Sequence, residues 1–285
     1  MKTMLLLCTL LIACSTDTVP SEPVVAAPTQ GSDRTRLVGS DLRIWPAVDT
    51  VEAFNREAIA CLRRFLVNKL NEEAPNDYWY VPDLTDHGGV HPELLAAEFN
   101  EVGELHNWPT LLSIVPAGSS DERLMTVRWA AEDGLGTATH VRYVFDFLAR
   151  QTTDGVRLSF PIGYNTRDWE RRNEGQIHYV ISPRHRFSPE QAAEQQRDIE
   201  RLSRFFGIEP FPITYYSTES PTGLFRAQGY QQHPLMHVFP TGCKADQGDN
   251  VYAGNDKDIY THEIVHLFVS IKIQPCRDPS YKVIH

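Results

Sequence analysis

His262 and His266 are four positions apart, and Glu263 directly follows the first of them. On an α-helix that spacing places both imidazoles on one face, one turn apart. Two imidazoles so placed can share one divalent cation, and zinc is the usual occupant. Glu263 is poorly placed to bind the same ion but can reach a water held on it. That is the position of a general base in metal-assisted hydrolysis. Every other residue from Ile259 to Phe268 is uncharged, and Leu267 and Phe268 are apolar. A helix buried beneath a metal needs that, because an uncompensated charge there is costly. The competing structural reading is an amphipathic helix carrying two hydrogen-bonded histidines.

The elements that must position this segment precede it. Ile177, Tyr179 and Ile181 alternate as a strand. Ser188-Pro189-Glu190-Gln191 opens a helix, with Ser188 as cap, Pro189 in the first turn and Gln191 completing a capping box. Ala192, Ile199, Leu202, Phe205 and Phe206 form its buried stripe, and Gly207 closes it. Phe211 to Ser217 reads as a second strand and Asn250 to Gly254 as a third. Asp256 or Asp258 is then available to cap the histidine helix. The order is strand, long helix, strand, irregular stretch, strand, metal helix.

Over roughly residues 175–285 this order resembles the upper half of a gluzincin-type metallopeptidase, close to the peptidase MA-like families. Only His262, Glu263 and His266 match at the level of motif. The resemblance implies that His262 and His266 are zinc ligands and Glu263 is the base. It also implies a mixed sheet over the active-site helix, with an edge strand that holds a peptide substrate; Asn250 to Gly254 lies in about the right place. Tyr252, Tyr260 and Tyr281 are options for an oxyanion donor. The third ligand in gluzincins is a Glu on a second helix about twenty residues on, but the nineteen residues after His266 contain no Glu. One expectation is a chain incomplete at its C-terminus, with the Glu beyond it. The other is a ligand within the chain, for which His285 has the right spacing and Asp278 is an alternative. His233 and His237 are also four apart, but Pro234 intervenes, and they read as solvated or hydrogen-bonded surface histidines.

The first folded part has a different pattern. Val51, Phe54, Ala58, Leu62, Phe65, Leu66 and Leu70 recur at helical spacing, with Asp49 or Thr50 as cap. A shorter helix is expected from Pro92 to Phe99, and Tyr78-Trp79-Tyr80 reads as core or rim. Met125, Val127 and Trp129, then Val141, Tyr143, Phe145 and Phe147, then Val156, Leu158 and Phe160 recur with period two. Asp154-Gly155 makes a tight hairpin between the last two strands. The fold class is therefore α+β. By element order alone, residues 40–172 resemble a cystatin-like or nuclear-transport-factor-2-like cone with a spacer or docking role. Residues 173–285 form the zincin-like domain, with Glu170 to Gly175 as the boundary.

A net charge of −10 argues against a nucleic-acid surface and offers no polybasic membrane patch. Met4 to Ala13 is an apolar run too short to span a bilayer. It ends in Leu11-Ile12-Ala13-Cys14, which resembles the bacterial lipobox. That implies a signal peptide over residues 1–13, a lipidated Cys14 and a place in the bacterial cell envelope, at the outer membrane or cell surface. Residues 14–39 read as a disordered tether. Cys243 and Cys276 flank the histidine helix and are the expected disulfide in an oxidising compartment, while Cys61 reads as a buried small hydrophobe. Together these features predict a lipid-anchored zinc metallopeptidase acting on a peptide or protein substrate. The alternative is a non-catalytic surface lipoprotein that keeps the helix for binding or structure.

Overall fold

The computed structural model describes residues 42–69, 77–87, 90–100, 103, 105–132, 138–238, 244–245 and 249–273. The first apolar stripe folds as helix α1 (Ala53–Asn68), with Ala58, Ile59, Cys61, Leu62, Phe65 and Leu66 buried. Its N-cap is Glu52, with no side-chain cap bond, so neither Asp49 nor Thr50 caps it as expected; Asp49 orders the turn before it, its carboxylate accepting the Val51 and Glu52 amides at 2.8 and 3.2 Å. Strand β1 (Arg43–Ile44) runs parallel to β2 (Trp108–Ala117). From β2 the chain meanders through β3 (Ser119–Glu132), β4 (Ala138–Thr152) and β5 (Gly155–Ser159), each antiparallel to the last. The alternation seen in the sequence puts Met125, Val127, Trp129, Tyr143, Phe145 and Phe147 in one core with the inner face of α1. Trp79 joins them, edge-on to Phe65 at 5.4 Å. The short helices α2 (Val81–His87) and α3 (Pro92–Leu95) lie between α1 and β2 in the chain. The expected helix to Phe99 stops at Leu95.

An ion pair is sealed inside this core. Lys69 Nζ lies 2.5 Å from Glu98 Oε2, and both side chains are essentially inaccessible. Lys69 also donates to the Leu94 carbonyl at 2.6 Å, and Trp129 Nε1 donates to Glu98 Oε1 at 2.8 Å.

In the second sheet the strands lie side by side in the order Lys244–Ala245, Asn250–Ala253, Ile213–Ser217, Ile177–Ile181, Glu170–Glu174. It is built from β6 (Glu170–Glu174), β7 (Ile177–Ile181), β8 (Ile213–Ser217), β10 (Lys244–Ala245) and β11 (Asn250–Ala253). Strands β7, β8 and β11 are parallel, while β6 and β10 are antiparallel to their neighbours. All five residues of β6 are exposed. The crossover from β7 to β8 is the long helix α5 (Pro189–Phe206), which follows the short α4 (Ile162–Asn165). Ile177, Tyr179, Ile181, Ile213, Tyr215, Val251 and Ala253 face α5 and the last helix, α7 (Thr261–Ile273). Val180, Tyr216 and Tyr252 face the other way, into the core of the first sheet. Burial on both faces is the usual state of a parallel sheet, and it accounts for its apolar strands.

The chain is thus α+β, and its described residues all belong to one compact unit, Ser32–His285. The boundary expected at 172/173 falls inside β6. Strand β9 (Tyr230–Gln232), which follows helix α6 (Pro221–Ala227), returns to the first sheet and pairs with Val144 and Phe145 of β4. Gly229 makes that return possible. Its φ is +107°, and a Cβ there would meet Pro161 Cγ at 2.5 Å and the Asp146 carbonyl at 3.0 Å. Gly229→Ala is expected to destabilise the chain by about 1–3 kcal/mol and loosen β9, read as a lowered denaturation midpoint and faster amide exchange at Tyr230 and Gln232. Cys61 is buried, and burial pushes its thiol pKa up. Among the described residues no helix is long and apolar enough to cross a membrane. Cys14 with its leader and tether, Cys243, Cys276, Asp278, Tyr281 and His285 lie outside the described residues.

Candidate metal centre

The segment from Thr261 is helical, as its pattern predicts, and its burial alternates with the helix period. Ile264, Leu267 and Phe268 are in the second core, while His262 and His266 are on the exposed face. Phe268 stacks on Phe206 of α5 with ring centroids 5.9 Å apart. Polar bonds fix the helix at both ends. Gln195 Oε1 accepts the Tyr260 amide at 2.6 Å, Thr261 Oγ1 donates to Asp198 Oδ2 at 2.6 Å, and Lys272 Nζ donates to the Phe206 carbonyl at 2.9 Å. The helices α5 and α7 therefore run side by side in the same direction.

On that helix the Nε2 atoms of His262 and His266 face each other at 3.1 Å. Two nitrogens bound to one tetrahedral zinc would stand about 3.3 Å apart. The Glu263 carboxylate, 9% exposed, completes the group, and the donor atoms of all three residues lie within 4.8 Å of one another. Among the described residues no further His, Cys, Asp or Glu joins them.

The N-terminus of α7 corrects one expectation. Asp258 does not cap it. Its carboxylate is fully buried and accepts from the Ser188 amide at 2.7 Å, from Ser217 Oγ at 2.7 Å and from His185 Nε2 at 2.9 Å. Gln191 Oε1 in turn accepts the Asp258 amide at 2.9 Å. The capping box read at Ser188 and Gln191 is thus shared with a residue seventy positions on. Ser188 Oγ accepts the Gln191 amide, but its own amide goes to Asp258. Asp256, at φ +56°, is held by His185 Nδ1 at 2.8 Å instead of capping.

His185 therefore lies between two carboxylates. Burial works to lower its pKa, but the hydrogen bonds and charges of Asp258 and Asp256 outweigh it and hold the imidazolium above its ordinary range. A raised folded-state pKa contributes stability that is fully present below the unfolded value of about 6.5. The contribution is lost as pH rises through the folded value. The melting-temperature gap between the unsubstituted chain and His185→Gln is expected to be widest near pH 6 and to shrink on raising the pH, as a calorimetric pH series would show.

Other residues singled out by sequence fall apart from this site. Tyr252 projects from the opposite face of the second sheet and pairs through its hydroxyl with His87 Nδ1 at 2.8 Å. It cannot serve an oxyanion near α7. Tyr260 stays beside the histidines, its ring 6.1 Å from that of His262. Asn250 to Ala253 is not an edge, because β11 lies between β8 and β10. His233 is buried, not on the surface, and its Nδ1 accepts the Leu235 amide at 3.0 Å, while His237 is exposed. Sequence reasoning missed His185, Gln195 and Asp198, whose partners are remote in the chain. No known protein family matches the chain, and neither a curated protein nor a solved structure matches it.

Proposed function

We propose that the chain is a zinc-dependent metallopeptidase, lipid-anchored in the bacterial cell envelope through Cys14, with Glu263 as general base. The observation that carries the reading is the convergence of His262 and His266 on one point, with the Glu263 carboxylate beside them on a helix fixed at both ends. His262 and His266 would hold the zinc, and His285 is the ligand offered within the chain for a third position. A bound zinc supplies Lewis acidity, which polarises the scissile carbonyl and makes a water more acidic. Glu263 takes a proton from that water and passes it to the leaving amine. The packing of Ile264, Leu267 and Phe268 keeps the helix from rotating, so the carboxylate and the two imidazoles retain their relative positions.

Purified under zinc-replete conditions, the chain is expected to hold about one zinc, and His262→Ala or His266→Ala to reduce retention at least tenfold. Elemental analysis together with a fluorogenic peptide assay checks this. A chain with no zinc and no hydrolysis would favour the second reading, a surface lipoprotein that keeps the helix for partner binding or structure. The exposure of both imidazoles is the observation on its side.

A further inference from the structure

His262 and Glu263 lie in the first turn of α7, and His266 lies in the second. The first turn is the weakest part of a helix, because its amides lack intrahelical acceptors. The fully buried contacts of α7 begin only at Ile264. Two of the three residues of the metal centre therefore keep their orientation through whatever holds that turn from outside. Helix α5 supplies the hold. Gln191, Gln195 and Asp198 are spaced four and three apart, which puts them on one face of α5. Each bonds a successive point of the chain entering α7. Gln191 Oε1 accepts the Asp258 amide at 2.9 Å, Gln195 Oε1 accepts the Tyr260 amide at 2.6 Å, and Asp198 Oδ2 accepts from Thr261 Oγ1 at 2.6 Å. Gln195 Nε2 also donates to Thr261 Oγ1 at 3.4 Å.

Gln195 is fully buried, while Ala192, Ile199 and Leu202 of the same helix meet the second core by apolar contact. A buried carboxamide is costly unless it is bonded. Both polar atoms of this one are spent on the two residues directly before His262. The Asp198 carboxylate is itself oriented, because Arg201 Nη1 donates to its other oxygen at 2.7 Å. We propose that Gln195 and Asp198 are positioning residues for the metal centre: by tying Tyr260 and Thr261 they hold His262 turned toward His266. The inference rests on the reading of these two histidines as zinc ligands.

Zinc affinity of the full chain, measured by competition with a chromophoric chelator, tests it, and the visible spectrum of the cobalt-loaded chain reports ligand geometry. Thr261→Val keeps the side-chain shape and removes both bonds of the hydroxyl; Gln195→Leu removes those of the carboxamide. Each is expected to weaken zinc about tenfold or more and to change the cobalt spectrum. Thr261→Ser restores the hydroxyl and should bind as the unsubstituted chain does. Leu202→Ala opens a cavity in the second core without touching these bonds, so it should lower the melting temperature and leave zinc affinity unchanged. Should Gln195→Leu fail to fold, judged by its melting curve, Thr261→Val and Thr261→Ser decide alone. Unchanged affinity in Thr261→Val, or an equal loss in Leu202→Ala, would overturn the proposal while leaving both histidines as ligands. An unsubstituted chain that binds no zinc would overturn it together with the reading beneath it.

Discussion

Glu263→Gln is expected to lower peptide hydrolysis by about 10²–10⁴-fold while leaving zinc content and melting temperature near those of the unsubstituted chain. The substitution keeps the shape of the side chain and its place on α7. It removes only the capacity to accept a proton. The zinc content should persist because the imidazoles, not the carboxylate, are the proposed ligands. The pair of readouts separates catalysis from folding: activity lost along with the metal would make Glu263 a ligand or structural group. Activity retained in full would remove it from the chemistry altogether.

Lys69→Met is expected to destabilise the chain by about 3–5 kcal/mol, because it leaves the Glu98 carboxylate buried without its counter-charge. Burial already pushes the Lys69 ammonium pKa down, and Glu98 partly restores it, so the charged pair exists only through mutual compensation. Combining Lys69→Met with Glu98→Gln should recover much of the loss. The amide can still accept from Trp129 Nε1 at the place where Oε1 now does, and no charge remains to be compensated. A double-mutant cycle by denaturant unfolding measures the coupling. Additive losses from the two substitutions would mean that the pair is not energetically linked.

How much of this was legible beforehand follows from the range of the interactions concerned. Local periodicity was enough to locate α1, α5, α7 and the meander from β3 to β5, since helix and strand repeats are written in neighbouring residues. But Val51, read into the stripe of α1, and Phe205, read into the buried stripe of α5, are exposed, because Val51 precedes its helix and Phe205 meets no second layer. The two imidazoles converge because four residues make about one helical turn, and that needs no tertiary knowledge. The edge strand, the role of Asp258 and the orientation of Tyr252 were misread because each depends on which segments pair across long separations. Asp256 and Asp258 look like caps when only the next element is considered. The structure gives them to His185 and Ser188, seventy positions earlier.

The outermost strand β6 reads Glu170-Arg171-Arg172-Asn173-Glu174, with alternating faces both turned to solvent. A free sheet margin is a template on which another molecule can add a strand, and mixed charges along it oppose that addition. This border therefore opposes the joining of sheets between neighbouring copies of the chain.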